Sequence, residues 1–522
     1  MKRSYLLILA AIATVSVCAC SSPKPFAVSN LKGTYTLYAN GSDSNFNPTS
    51  VVASLTLDGK GNVTGGEQDF DDAGATSPVA ENDSISGGGI TIGTDGRGTL
   101  TLDVAATSPS VLTTETFSVV QVNTKHLLVT EFDSSLSSSG SMDLQTSPAS
   151  TPVGGNSFAV VDDWNAIAFG GVITSANGAV TGEGDDDQTG SPNYDFPIQG
   201  AVVSMPDSYG RGTISMYDQT YNGNLQFAYY VVGPEAFRLI ETDGPSSQGN
   251  TGYFMAGSMF GQGSAAGAFS PSSLNGSFAF TQSGPEAYFY EFGIAGEFTT
   301  DGSAAFSSGV VDENDADVAP ILAADISGTS YIISADGYGF ATLPSYGGVL
   351  QNFGLYMVDP TINIADPNST KGGGGALMTD LDNNSLGIGF AVPQTAGATF
   401  SGNYAFNQDG AYVVPSGNTT VGGLFDMAGR IVSKSSNLTG TADYNDVDNS
   451  GLNPDVAVTG SFTADNANPG RSTAQISVNG STPANNVSLY QANDNLILQV
   501  DTDWDTTNHI GTVATGVIQK QQ

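Results

Sequence analysis

The sequence predicts an all-β protein built from four tandem antiparallel β-meander domains, each closed into a small barrel or, alternatively, folded as a two-layer β-sandwich. Three observations carry this reading. Apolar and polar residues alternate with period two over many short segments, the pattern of strands with one buried and one wet face. Gly is abundant, at 66 of 522 residues, and Lys and Arg together number only 14, a bias towards tight turns and away from helices. One template recurs at domain-sized spacing, far longer than the unit of a solenoid or propeller blade.

The template is clearest over residues 33–145. Tyr35 and Leu37 share one face, with Thr34 and Thr36 opposite. Val51, Ala53, Leu55 and Leu57 share another, as do Leu100 with Leu102 and Met142 with Leu144. Asp58-Gly59-Lys60-Gly61 and Thr94-Asp95-Gly96-Arg97-Gly98 separate such runs, and Gly supplies the positive φ that hairpin turns need. Seven or eight strands per repeat fit a meander, and closing it into a barrel removes exposed edges.

The opening aromatic recurs as Tyr35, Phe158, Phe278 and Tyr404, with gaps of 123, 120 and 126 residues. Gly96-Arg97-Gly98-Thr99 returns as Gly210-Arg211-Gly212-Thr213, then as Gly337-Tyr338-Gly339-Phe340 and Gly470-Arg471-Ser472-Thr473. An acidic knot recurs at Asp69, Asp71 and Asp72, at Asp185-Asp186-Asp187, at Asp312-Glu313-Asn314-Asp315 with Asp317, and at Asp443-Tyr444-Asn445-Asp446 with Asp448. The expected divisions are a leader at 1–19, a tether at 20–30, and repeats at 31–145, 154–257, 274–392 and 400–522. Small-residue runs at 146–153, 258–273 and 393–399 read as linkers, which leave orientation loose unless interfaces form.

Lys2 and Arg3 precede an apolar run from Tyr5 to Val17, too short to span a bilayer and matching an export signal. Val17-Cys18-Ala19-Cys20-Ser21-Ser22 follows. This segment resembles the lipobox of bacterial lipoproteins, with small Ala19 before Cys20. The resemblance implies cleavage before Cys20, a lipid on its sulfur and, because no Asp follows, the outer membrane, facing the periplasm or the cell surface. The β-rich repeats resemble those of uncharacterised bacterial surface lipoproteins, a likeness that implies architecture and no activity. Cys18 leaves with the leader, so the mature chain holds no disulfide and relies on its cores.

The formal net charge is −37. Such a surface excludes nucleic acid and anionic headgroups as partners and attracts cations. The expected partners are the membrane, through the N-terminal lipid, and a glycan or surface protein.

Among residues that could carry chemistry, Asp446-Val447-Asp448-Asn449-Ser450-Gly451 resembles the first half of an EF-hand calcium loop. Asp443, Asn445, Asp446, Asp448 and Ser450 are therefore the candidate ligands, and calcium the candidate cofactor. No Glu closes the loop, since Ala457 stands there, and a solvated turn between strands is the more ordinary reading of the same residues. Arg97 and Arg211 read as hairpin arginines paired with nearby carboxylates, or else as ligands of an anion. Phe227-Ala228-Tyr229-Tyr230 and Tyr288-Phe289-Tyr290-Glu291-Phe292 read as core aromatics, or else as a platform for sugar rings. His126 and His509 occupy different slots of their repeats. No nucleophile elbow, zinc motif or phosphate loop occurs, and the expectation is a protein without catalytic activity. It is a binding, adhesive or structural surface module; the alternatives are a carrier of small apolar ligands inside its barrels and an envelope glycan hydrolase using a carboxylate pair.

Overall fold

A computed structural model describes residues 26–75, 79–105, 113–162, 167–188, 190–218, 223–243, 253–285, 291–315, 318–343, 352–382, 385–416, 419–481, 484–507 and 510–522. The lipobox with Cys20 lies outside these residues, as do Asp317, Tyr288, Phe289, Tyr290 and His509. The described residues hold strands, turns and three short 3-10 turns, with no α-helix.

Four antiparallel meanders follow one another. The first runs from Lys32–Asp43 to Leu136–Leu144 and the second from Gly154–Asp162 to Ala256–Gly261; each closes as an eight-stranded barrel. The fourth, from Gly402–Ser416 to Ile510–Lys520, closes by pairing those two strands. The third, from Asn275–Pro285 to Ile388–Pro393, stays open. Its fourth strand is broken: Val318–Asp325 pairs back onto Phe306–Asp315, while Ser330–Ile333 pairs forward onto Tyr338–Thr342. In the first barrel one unbroken strand, Val79–Ile92, does both jobs. The bridge Ala305–Ser330 stands where Asn62–Gly89 stands in the first repeat, so the break is an interruption of the same plan.

The opening aromatics Tyr35, Phe158, Phe278 and Tyr404 all point inward and are buried. Leu37, Leu55, Leu100, Leu102, Phe117 and Met142 fill the first barrel around Tyr35, as the alternation requires. Phe227 and Tyr229 fill the second, and Phe292 the third. Each interior is occupied by buried side chains. A gap inside the fourth barrel, lined by Phe406, Met427, Ile431 and Ile518, measures about 30 Å³ and has room for little more than a water.

The run at 258–273 begins inside the last strand of the second meander, Ala256–Gly261. The third meander carries an excursion, residues 358–375, between Asn352–Met357 and Ala376–Asp380. In the first repeat the matching strands, Thr114–Asn123 and His126–Glu131, join through a two-residue turn. This excursion reaches the first barrel: Asn123 donates to Asp366 at 3.0 Å, and Asn368 donates to the carbonyl of Lys125.

Candidate functional site: inter-barrel clasps and a central cavity

The acidic knot and the Gly-Arg-Gly-Thr element are two halves of one joint. Asp69, Asp185, Asp312 and Asp443 are each the seventh residue of the third strand of their repeat (Val63–Asp72, Ala179–Gln188, Phe306–Asp315, Asn437–Asp446). At each the ladder with the fourth strand slips by a bulge. Opposite sits a residue at positive φ, Asn82, Asp195, Ala323 or Asp455. Its backbone N–H donates to the bulge carboxylate in all four repeats. Asn and Asp tolerate the left-handed region, whereas Ala323 is strained there.

The carboxylate then faces the next barrel. Arg211 donates to Asp69 through Nε at 2.6 Å and Nη2 at 2.8 Å, and the Tyr230 hydroxyl adds a bond of 2.7 Å. Arg471 and Tyr490 repeat this on Asp312 with the same three distances, 2.6, 2.8 and 2.7 Å. Arg211 pairs in register with Tyr230, and Arg471 with Tyr490, so each repeat presents both donors on adjacent strands. Between the second and third barrels Tyr338 stands in the arginine slot, and Asp185 accepts from the Tyr338 and Tyr356 hydroxyls at 2.6 and 2.9 Å. The knot of the fourth repeat meets the first barrel. Asp443 accepts from Ser118 at 2.7 Å and lies 3.5 Å from Arg97, which also binds Asp95 and Asp455.

A glutamine reinforces every joint. Gln145, Gln262 and Gln394, each just past the last strand of its repeat, donate to the carbonyls of Tyr209, Asp336 and Gln491 in the following repeat. Gln521 of the last repeat donates to Asp95 and Gln121 of the first, both at 3.0 Å. Gly96, Gly210, Gly337 and Gly470 lie against these four amides, and a Cβ at Gly96, Gly337 or Gly470 would collide with them. The chain of contacts therefore runs first to second, second to third, third to fourth and fourth to first, a closed ring.

The five residues read as calcium ligands are placed around this joint. Asp443 belongs to the clasp. Asn445 donates to the carbonyl of Leu136, in the first barrel, and to Asp426. Asp446 accepts from Tyr412 and from Ser450, and Asp448 accepts from the backbone N–H of Leu424. Asp446 and Ser450 are brought together; Asp443 and Asn445 are committed to the first barrel. Arg97 and Arg211 pair with carboxylates, partly in a neighbouring repeat.

Where the barrels meet, a cavity of about 280 Å³ opens, lined from all four repeats. Tyr38, Val161, Thr281 and Asn407 line it from the same register, three residues after each opening aromatic. At its edge His126 Nδ1 bonds Asp143 Oδ1 at 2.7 Å, and Asp143 Oδ2 accepts from Ser141 and from Arg238 of the second barrel. Burial alone pulls the His126 imidazole down, but the facing Asp366 and Asp143 carboxylates outweigh it and raise its pKa. Burial likewise pushes the Asp143 carboxyl up, yet His126 and Arg238 hold it down at about 2. Ligand atoms of His126, Asp143 and Asp366 lie within 4.8 Å of one another. Every carboxylate oxygen of this trio already has a protein donor, Asn123 and the Asn368 N–H serving Asp366. With Arg238 the trio forms an ion network that joins three repeats.

A further repeat had been hidden among the many acids. The seventh strand of each meander ends in a buried acid, with another two residues on: Glu131 and Asp133, Glu241 and Asp243, Asp380 and Asp382, Asp501 and Asp503. The first of each pair faces the barrel interior opposite Phe117, Phe227, Phe353 or Val487.

No family model and no curated protein matches the chain. Solved structures that align with it include the following two. A tryptophan-to-alanine mutant of transferrin-binding protein B from Haemophilus parasuis is 11% identical over 77% of this chain and 85% of that one, with a TM-score of 0.22. The siderophore receptor PirA from Pseudomonas aeruginosa is 11% identical over 95% of this chain and 80% of that one, with a TM-score of 0.13. Neither likeness is close enough to carry an argument.

Proposed function

We propose that this protein is a non-catalytic binding or structural module of the bacterial outer membrane, tethered by lipid on Cys20 and presenting its four barrels as one rigid body. The observation that carries this reading is the clasp. The most recurrent polar residues of the chain hold barrels to one another, and the recurrent acids lie in joints or inside barrel ends, away from open clefts. A rigid array displays several surfaces in fixed geometry, which suits multivalent attachment to an envelope polymer or surface protein. The filled interiors weigh against carriage of apolar ligands inside the barrels.

Two measurements test the reading together. Replacing Cys20 with Ser abolishes labelling by radioactive palmitate and moves the protein out of the membrane fraction. The mature chain retains envelope glycans or surface proteins and returns them chemically unchanged. Membrane retention of the Cys20→Ser protein, or release of sugar fragments from a bound glycan, contradicts the proposal.

A further inference from the structure

We infer that the inward acidic end of the first barrel is a calcium site held by Gln68, Glu115, Glu131 and Asp133. Gln68, Glu115 and Glu131 continue the inward faces that carry Phe70, Phe117 and Val129, so the barrel's own alternation brings them together beyond its apolar core. Their exposures are 0%, 1% and 2%. Four oxygens there, Gln68 Oε1, Glu115 Oε2, Glu131 Oε1 and Asp133 Oδ2, are buried and lack any hydrogen-bond donor. The Gln68 amide nitrogen donates to Glu115 Oε1 at 2.6 Å, which fixes that side chain beside the glutamate. Asp133 is fixed through its other oxygen by the N–H groups of Ser135 and Leu136. No ion pair among the described residues reaches these carboxylates.

The other barrels provide an internal comparison. Glu241 accepts from the N–H groups of Tyr253 and Met255. Asp380 accepts from Ser385 and the Asp382 N–H, and Asp501 from Asn485 and the Asp503 N–H. The strand-end acid thus has protein donors in three repeats, whereas in the first Glu131 Oε1 has none among the described residues. Buried oxygens without donors need a proton or a cation. An all-oxygen, water-poor set suits Ca²⁺, which accepts irregular coordination, better than Mg²⁺, which keeps its waters. These oxygens span more than the 4.8 Å that gathers the His126 trio, so binding draws the two long glutamates inward.

The test uses the mature chain, residues 21–522, at pH 7.5. Added CaCl₂ at about 1 mM raises the first melting transition by roughly 3–5 °C, and chelator reverses the rise. Equilibrium dialysis with radioactive calcium measures binding without reference to stability. Glu131→Gln and Glu115→Gln each lose the shift and one bound ion per chain, while melting in chelator no lower than the parent, because each places an amide donor among buried oxygens that lack one. Asp448→Asn, in the fourth-repeat loop, keeps both. No bound calcium in dialysis, or binding lost in Asp448→Asn and kept in both glutamine variants, overturns the assignment.

Discussion

At the scale of the residue, the clasps differ in charge balance, and stability should follow. Arg211 and Arg471 are each the bidentate partner of a fully enclosed aspartate. Arg211→Ala or Arg471→Ala leaves Asp69 or Asp312 buried without its cation and should cost about 3–5 kcal/mol, read from denaturant melts. Asp185 faces two tyrosine hydroxyls and no cation, and burial pushes its carboxyl up to about 6. Below pH 4 it is protonated folded or unfolded. From about pH 4 to pH 6 only the unfolded chain releases the proton, so stability falls across that window by about 3 kcal/mol and is flat above it. Asp185→Asn should remove this part of the decline, and melts from pH 4 to pH 8 that decline just as steeply in the variant would refute the assignment. The sequence marked both partners, since the knots and the Gly-Arg-Gly-Thr elements were its clearest repeats. Which Asp meets which Arg was not legible, because Arg211 reaches Asp69 across 142 residues and Arg471 reaches Asp312 across 159. Alternation governs which face a side chain takes and is silent about what that face touches.

At the scale of the element, period-two alternation and Gly-rich turns were enough to read strands; the first two meanders have the expected eight, and the third and fourth have nine each. The broken fourth strand of the third meander was not legible. Ile326 turns in to the core and Gly328 takes a positive φ of 80°, features that an alternation reading passes over. The break leaves Ser330–Ile333 with one full partner strand and an exposed Ile332. Amide hydrogen exchange should therefore be faster there than in the matching part of the first barrel, residues 89–92, by an order of magnitude or more. Equal protection would mean the third barrel closes in solution. The strand-end acids make a second element-scale prediction. Glu115 and Asp501 are each raised to about 7, chiefly by burial, so between about pH 4.5 and pH 7 the unfolded chain loses protons that the folded chain keeps. Stability in chelator should fall over that interval, and calcium should offset the fall in the first barrel alone. The paired acids at 131 and 133, 241 and 243, 380 and 382, and 501 and 503 were present in the sequence. Among 51 acidic residues only the strand ends pick them out.

At the scale of the whole molecule, three closed barrels and one open one are joined head to tail, and the joint from the fourth back to the first again uses knot, arginine and glutamine, with Ser118 in place of a tyrosine. Knot and glutamine each find their counterpart in the next repeat, so one bulged strand and one hairpin serve four times. The linkers alone predicted loose orientation; the interfaces override them, through residues that the repeats themselves supply. The His126 network and the 358–375 excursion add contacts across the centre, between the first and third barrels, and further stiffen the ring. Closure is the central claim, and small-angle X-ray scattering of the mature chain tests it most directly. A closed ring of about 500 residues should give a radius of gyration of about 23–25 Å, close to that of a single compact body of that length. Four barrels strung on linkers should give well over about 30 Å and a broad distance distribution, and that result would contradict the ring.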